Sequence, residues 1–147
     1  MFIGRYEHLI DKKGRISIPA KFREILSAKH DERLIISAAI DECLQAFPIQ
    51  EWQILMEKFQ SRPQFSDSSM RNLRHAFMGN AIECPIDKQG RIQVPGTLRD
   101  FAALTGDVVF VGMSTMIEIW DKARWNEVFK KAVEKIKEPG ALGSLGL

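Results

Sequence analysis

Apolar and polar residues alternate with period two in two matched stretches, Arg15-Ile16-Ser17-Ile18 and Arg91-Ile92-Gln93-Val94. This is the pattern of a half-buried strand, with Ile and Val facing a core and Arg facing away from it. Each stretch follows an Asp-x-x-Gly unit, Asp11 to Gly14 and Asp87 to Gly90. There the Asp can accept backbone N–H bonds and the Gly can take a positive φ without a Cβ clash, which predicts a tight turn. Upstream, Tyr6, His8 and Ile10 alternate with Glu7 and Leu9, and Ile82, Cys84 and Ile86 recur before the second turn. Strand, turn and strand are therefore expected twice. Pro19 and Pro95 end the inner strands, since proline lacks the ladder N–H, and their fixed φ suits a first helical position. Phe22, Ile25 and Leu26, and then Leu98, Phe101 and Ala102, fall at i, i+3 and i+4 and predict short helices with one buried face.

These stretches form an internal repeat. With a constant offset of 76, residues 11–25 and 87–101 agree at seven of fifteen positions, including Arg23 and Arg99, so duplication has to be settled before any fold is argued. A second hairpin is expected over Leu34 to Phe47, around Asp41-Glu42, and its counterpart over Val108 to Trp120, around Ser114-Thr115. The offset has by then slipped to 73, which assigns about three extra loop residues to the first copy. Pro48 and Asp121 open longer helices, Pro48 at a first helical position and Asp121 as a side-chain N-cap. Apolar stripes follow in both: Trp52, Leu55, Met56 and Phe59, then Trp125, Val128, Phe129, Ala132, Val133 and Ile136. Such stripes usually mean core or subunit interface. The segment 61–69 reads as a linker ending in capping residues, with a helix from about Met70 to Phe77 after it. The expected organisation is a first module over 1–60, linker and connecting helix over 61–79, a second module over 80–137, and a flexible Gly-rich tail over 138–147.

Charge adds a direction. The net charge is only +2, but residues 1–30 carry seven Lys and Arg against three Asp and Glu, whereas residues 31–60 carry two against six. The basic charge gathers at the turns, as a polyanion partner would require. No apolar run approaches the ~18 residues of a membrane span, and the N-terminus lacks a signal-peptide pattern, so a cytoplasmic location is expected. Cys43 and Cys84 stand apart, indicating neither a disulfide nor a zinc site. His8, His30 and His75 share no motif with other ligands, and no Walker loop, G-x-S-x-G or G-x-G-x-x-G occurs. A turn Asp bonded to N–H groups should stay ionised, which removes Asp11 with Arg15 as an acid/base pair. No catalysis, cofactor, metal or small-molecule substrate is expected.

The doubled Asp-x-x-x-Arg, each followed by apolar-x-apolar-Pro and a short helix, together with the opening Met1-Phe2-Ile3-Gly4, resembles the MraZ family from Met1 to about Ile136. The resemblance implies two tandem SpoVT/AbrB-type modules forming an α+β fold, a small pseudo-twofold β-barrel flanked by helices, with several chains closing into a ring. It also implies a nucleoid-associated repressor that binds repeated double-stranded DNA elements upstream of its own operon, at the head of the division and cell-wall gene cluster. The DNA contacts would come from Arg15 and Arg91, supported by Lys12, Lys13 and Lys88. Asp11, Gly14, Asp87 and Gly90 would hold the turns. Gln89 stands where the first copy has Lys13, so the two copies need not contribute equally. The alternatives are an AbrB-like antitoxin or other protein-binding module, and a small barrel enzyme.

Overall fold

Each strand, turn and strand of the repeat is divided between two sheets. The computed structural model describes residues 1–29, 31–62 and 68–147. The strands are β1 (Arg5–Leu9), β2 (Arg15–Ser17), β3 (Arg33–Ala38), β4 (Leu44–Pro48), β5 (Ile82–Pro85), β6 (Arg91–Gln93), β7 (Asp107–Gly112) and β8 (Ile117–Asp121). The α-helices are α1 (Ala20–Ala28), α2 (Ile49–Gln60), α3 (Ser68–Met78), α4 (Gly96–Ala102) and α5 (Lys122–Ile136), with a 3-10 turn at Gly143–Leu145. Six strands form an antiparallel sheet in the order β1-β7-β8-β4-β3-β5, and β2 pairs with β6 as a separate ribbon. The class is α+β, dominated by antiparallel pairing.

The register carries the duplication into three dimensions. In the ribbon Ile16 lies opposite Ile92, and in the large sheet Gln45 lies opposite Glu118. These pairs are separated in sequence by 76 and 73, the two offsets of the repeat, so each residue faces its own counterpart. An antiparallel pair of equivalent strands has a local twofold axis at that point. The copies also exchange partners. β1 of the first copy lies against β7 of the second, and β5 of the second against β3 of the first. β1 and β5 are thus the outer strands of the sheet, and each runs through its Asp turn into the ribbon. The pairing among the described residues is six strands plus two, and the ribbon closes over the sheet by side-chain packing.

One core results. Ile16 and Ile18 from the first copy and Ile92 and Val94 from the second pack with Leu34, Ile36, Leu44, Ala46, Val108, Phe110, Ile117 and Ile119 from the sheet. Phe22 of α1 is fully buried and meets Phe2 and Tyr6 edge-on at 5.4 and 5.1 Å. Burying a ring of this size stabilises by roughly 1.5–3 kcal/mol. Leu26 of α1 and Leu98 and Ala102 of α4 complete the cluster, so both short helices are anchored to it.

Two local expectations are corrected. The offset between the copies falls from 76 at the helix starts, Ala20 and Gly96, to 74 at the starts of β3 and β7. The two residues responsible lengthen α1, nine residues against seven for α4, and only one extra residue sits in the β3–β4 hairpin. α4 stops early because Ala103 turns left-handed at φ 55°. Pro19, Pro48 and Pro95 are likewise cap residues and not first helical residues: their ψ values of 137°, 150° and 152° are extended, and the helices begin one position later. Proline holds the cap φ, and its carbonyl takes the first helical bonds, as Pro19 O does from the N–H groups of Phe22 and Arg23. Asp121 caps α5 through Oδ2, accepting from Arg124 N–H at 3.2 Å. Within the expected linker, residues 63–67 lie outside the described residues, as does His30.

Candidate nucleic-acid interface

The ribbon places its inward residues, Ile16 and Ile92, at 1% exposure. Alternation then turns Arg15 and Ser17 of β2, and Arg91 and Gln93 of β6, to the opposite face. Four polar side chains from two copies therefore share one outer surface of a two-stranded ribbon.

The flanking turns are built identically. Asp11 Oδ1 accepts from the N–H groups of Lys13 and Arg15, both at 2.9 Å, and Oδ2 accepts from Arg15 Nε at 2.7 Å. Asp87 does the same for Gln89 and Arg91 at 2.9 Å and for Arg91 Nε at 3.2 Å. Engaging Nε leaves the terminal guanidinium nitrogens of Arg15 and Arg91 without a hydrogen bond among the described residues, and those are the atoms that form the bidentate fork. Both carboxyls are held below their ordinary value of 3.8, first by the N–H of the motif Arg and then by the remaining turn bonds and the guanidinium. A depressed folded pKa contributes stability that is fully present above the ordinary value and is lost as pH falls through the folded one. The Asp11→Asn/Asp87→Asn protein is thus expected to lose less thermal stability than wild type as pH falls below the ordinary value of 3.8. Parallel acid limbs in thermal melts would count against this role.

Gly14 and Gly90 sit at φ 83° and 77°. At Gly14 an added Cβ would stand 2.5 Å from Val94 O, whose residue also donates its N–H to Gly14 O at 2.8 Å. Neither backbone can retreat without breaking the link between the strands. Gly14→Ala is expected to cost about 2 kcal/mol or more, combining left-handed strain with the clash. Gly106→Ala, with nothing within 4 Å and no positive φ, is the matched control and should be near neutral in denaturant titrations.

The site residues are partly gathered and partly separated. Lys13, Arg15, Arg91 and Gln93 line one cleft along the ribbon, together with the acidic Glu83 and Asp87. Lys88 lies in a second cleft with Arg23, Ser27 and Glu32. Lys12 is exposed on the first turn, and its carbonyl accepts from Arg99 Nη1 at 3.3 Å. Arg99 also lines the first cleft. The sequence displayed Arg23 and Arg99 as matched positions, but only the fold reveals that each lies beside the turn of the other copy. Among the described residues no group of three or more His, Cys, Asp or Glu could hold a metal ion. Cys43 and Cys84 are buried, and burial raises the thiol of Cys84 to about 11 and that of Cys43 further still.

The fold and this surface together define a tandem-repeat α+β protein in which two copies share a single sheet and core and jointly present a basic, two-stranded ribbon. The chain belongs to the MraZ family. The family model described as "MraZ protein, putative antitoxin-like" matches residues 1–75 and again 77–141. The chain is 45% identical over 125 residues to the transcriptional regulator MraZ of Lachnoclostridium phytofermentans, covering 85% of this chain and 84% of that protein. It is 42% identical over 135 residues to that of Moorella thermoacetica, covering 92% and 91%. With that of Caldanaerobacter subterraneus subsp. tengcongensis the identity is 41% over 138 residues, covering 94% and 93%. No helix among the described residues is long and apolar enough to cross a membrane.

Proposed function

We propose that this chain is a sequence-specific DNA-binding transcriptional regulator, not an enzyme, that grips double-stranded DNA with the β2–β6 ribbon and its two turns. The observation that carries the reading is the shared outer face, where Arg15 and Arg91 of different copies line one cleft with Lys13. A major groove about 12 Å wide admits a two-stranded β-ribbon, and an arginine fork there pairs with guanine O6 and N7. Lys12, Lys13 and Lys88 on the turns supply phosphate contacts that fix position without reading sequence. Relatives of this length and identity carry the name transcriptional regulator, which supports the same assignment. In this reading the protein is cytoplasmic and nucleoid-associated, and it represses its own operon and the division and cell-wall cluster by binding repeated promoter elements.

The active form is a closed ring of identical chains. The apolar stripe of α5 supports this. None of its residues is buried, and Phe129 and Ile136 are 54% and 57% exposed, apolar surface that a neighbouring chain would cover. The second reading, an antitoxin-like protein that seizes a partner, draws on the family description. A mobility-shift titration on the DNA immediately upstream of the gene, with light scattering on the same sample, separates them. The expected result is a saturable shift by a closed oligomer. A monomer at micromolar concentration would remove the ring, and failure to shift that DNA would leave the antitoxin reading in place.

A further inference from the structure

We infer that Arg23 and Arg99 are positioning residues, each bracing the DNA-facing turn of the opposite repeat, so that the two turns are held by each other's helices. The inference rests on the DNA reading above for its functional consequence, though not for its geometry.

Arg99 is the fourth residue of α4 and Arg23 the fourth of α1. Each side chain lies along the glycine of the other copy's turn. A Cβ built on Gly14 would meet Arg99 Nε at 2.7 Å and Cζ at 3.0 Å; one built on Gly90 would meet the Arg23 terminal nitrogen, Cζ and Cδ. The glycines therefore meet two demands at once: a left-handed φ, and an open face for a flat guanidinium. Both helices are firm supports, because Phe22, Leu26, Leu98 and Ala102 are at most 2% exposed. Strand connections run between the same partners. Val94 N–H donates to Gly14 O at 2.8 Å, Ile18 N–H to Gly90 O at 2.9 Å, and Gln93 Nε2 to Lys13 O at 3.0 Å. Each turn is thus tied to the other copy at its strand and along its glycine.

The two braces are unequal. Arg99 donates Nη1 to Lys12 O at 3.3 Å, and its buried Nε finds no acceptor among the described residues. A guanidinium N–H left without a partner is costly, and the Nη1 bond and the packing along Gly14 offset that cost. Arg23 is exposed, and its guanidinium makes no hydrogen bond among the described residues. The first turn, which carries Lys12, Lys13 and Arg15, is consequently the better fixed, and the second, which has Gln89 in place of a lysine, the looser. A cation held in place loses less entropy when it meets phosphate. The first turn should dominate binding.

Amide hydrogen exchange, read by mass spectrometry on the full-length protein, tests this alongside DNA titration. Arg99→Ala is expected to speed exchange in the first turn, at Lys13 to Arg15, by ~10-fold or more, with Gln89 to Arg91 unchanged. It should also weaken promoter binding by about 10-fold. Arg23→Ala should give the mirror pattern, with a smaller effect on DNA. Arg99→Lys, which keeps stem and charge but not the planar fork, should reproduce the Arg99→Ala pattern at smaller amplitude and keeps the test open if the alanine protein folds poorly. If Arg99 were only another phosphate contact, Arg99→Lys would bind nearly as wild type and first-turn exchange would not move; that result overturns the inference. Faster exchange in the first turn with DNA binding intact in both Arg99→Ala and Arg15→Ala would instead keep the brace and defeat the DNA reading of the ribbon.

Discussion

Arg15→Ala is expected to cut promoter binding by ~100-fold or more while leaving the melting temperature almost unchanged. The separation follows from where the side chain sits. Its backbone belongs to β2, but its side chain is 38% exposed and bound only through Nε to the equally exposed side chain of Asp11, and exposed ion pairs of this kind contribute little to stability. On the proposed DNA reading, removal of the fork would delete a bidentate base contact worth about 1–3 kcal/mol at every copy engaged. In the proposed ring several copies would be engaged at once, and the loss would multiply. Asp11→Ala should behave in the opposite sense, lowering the melting temperature because it releases two turn N–H groups, and weakening DNA binding only as a result. Arg91→Ala should weaken binding less than Arg15→Ala. Fluorescence anisotropy with labelled promoter DNA, set beside thermal melts of the three proteins, makes the comparison. If Arg15→Ala binds as tightly as wild type, the ribbon is not the DNA-facing surface.

The parts of this molecule that were legible in the chain are those in which a residue's neighbours in sequence are also its neighbours in space. Asp11 and Arg15 are four residues apart and close a turn between them. Phe22 and Leu26 are four apart and lie on one helix face. Alternation likewise gave the inward side of Ile16 and Ile92. Alternation assigns faces, however, and says nothing about partners. Nothing local determines that β1 should lie against β7, or that β5 should lie against β3, because in-copy and exchanged pairing bury the same apolar residues. The position of the braces was hidden for the same reason. Arg23 and Arg99 recur at the repeat offset, but they act on Gly90 and Gly14, residues 67 and 85 positions away, and only the strand exchange brings them together. The extra residues of α1 read as loop in the sequence because the helix has no glycine or proline at its end, and its extent is decided by packing instead. The stripe on α5 was visible, but sequence period alone cannot distinguish a core stripe from one left in water. In a single chain the stripe is divided: Trp125 packs against the buried Trp120, whereas Phe129 is 54% exposed.

Repetition should matter to DNA affinity more than any single side chain. One first-copy turn offers Lys12, Lys13 and Arg15, on the order of three neutralised phosphates, and at a salt slope of roughly 0.9 per phosphate a complex of that size dissociates readily at physiological ionic strength. A ring carrying the same ribbon on every chain changes this without new chemistry. Once one ribbon is seated, the next meets its site at an effective concentration set by the spacing of the assembly, and linked sites of this kind gain ~100-fold or more in overall affinity. The gain exists only if the DNA elements face the ring together. Moving one element by about half a helical turn, roughly 5 bp, rotates it to the far side of the duplex, and it should then contribute nearly as little as an element that has been removed. Promoter fragments with one, two and three elements, in phase and out of phase, titrated at two salt concentrations, give the measurement. The expected pattern is a steep rise in affinity and in salt slope with the number of in-phase elements, and little rise when they are out of phase. Equal affinity across all fragments would mean that each ribbon reads its element alone, and assembly would then need another reason.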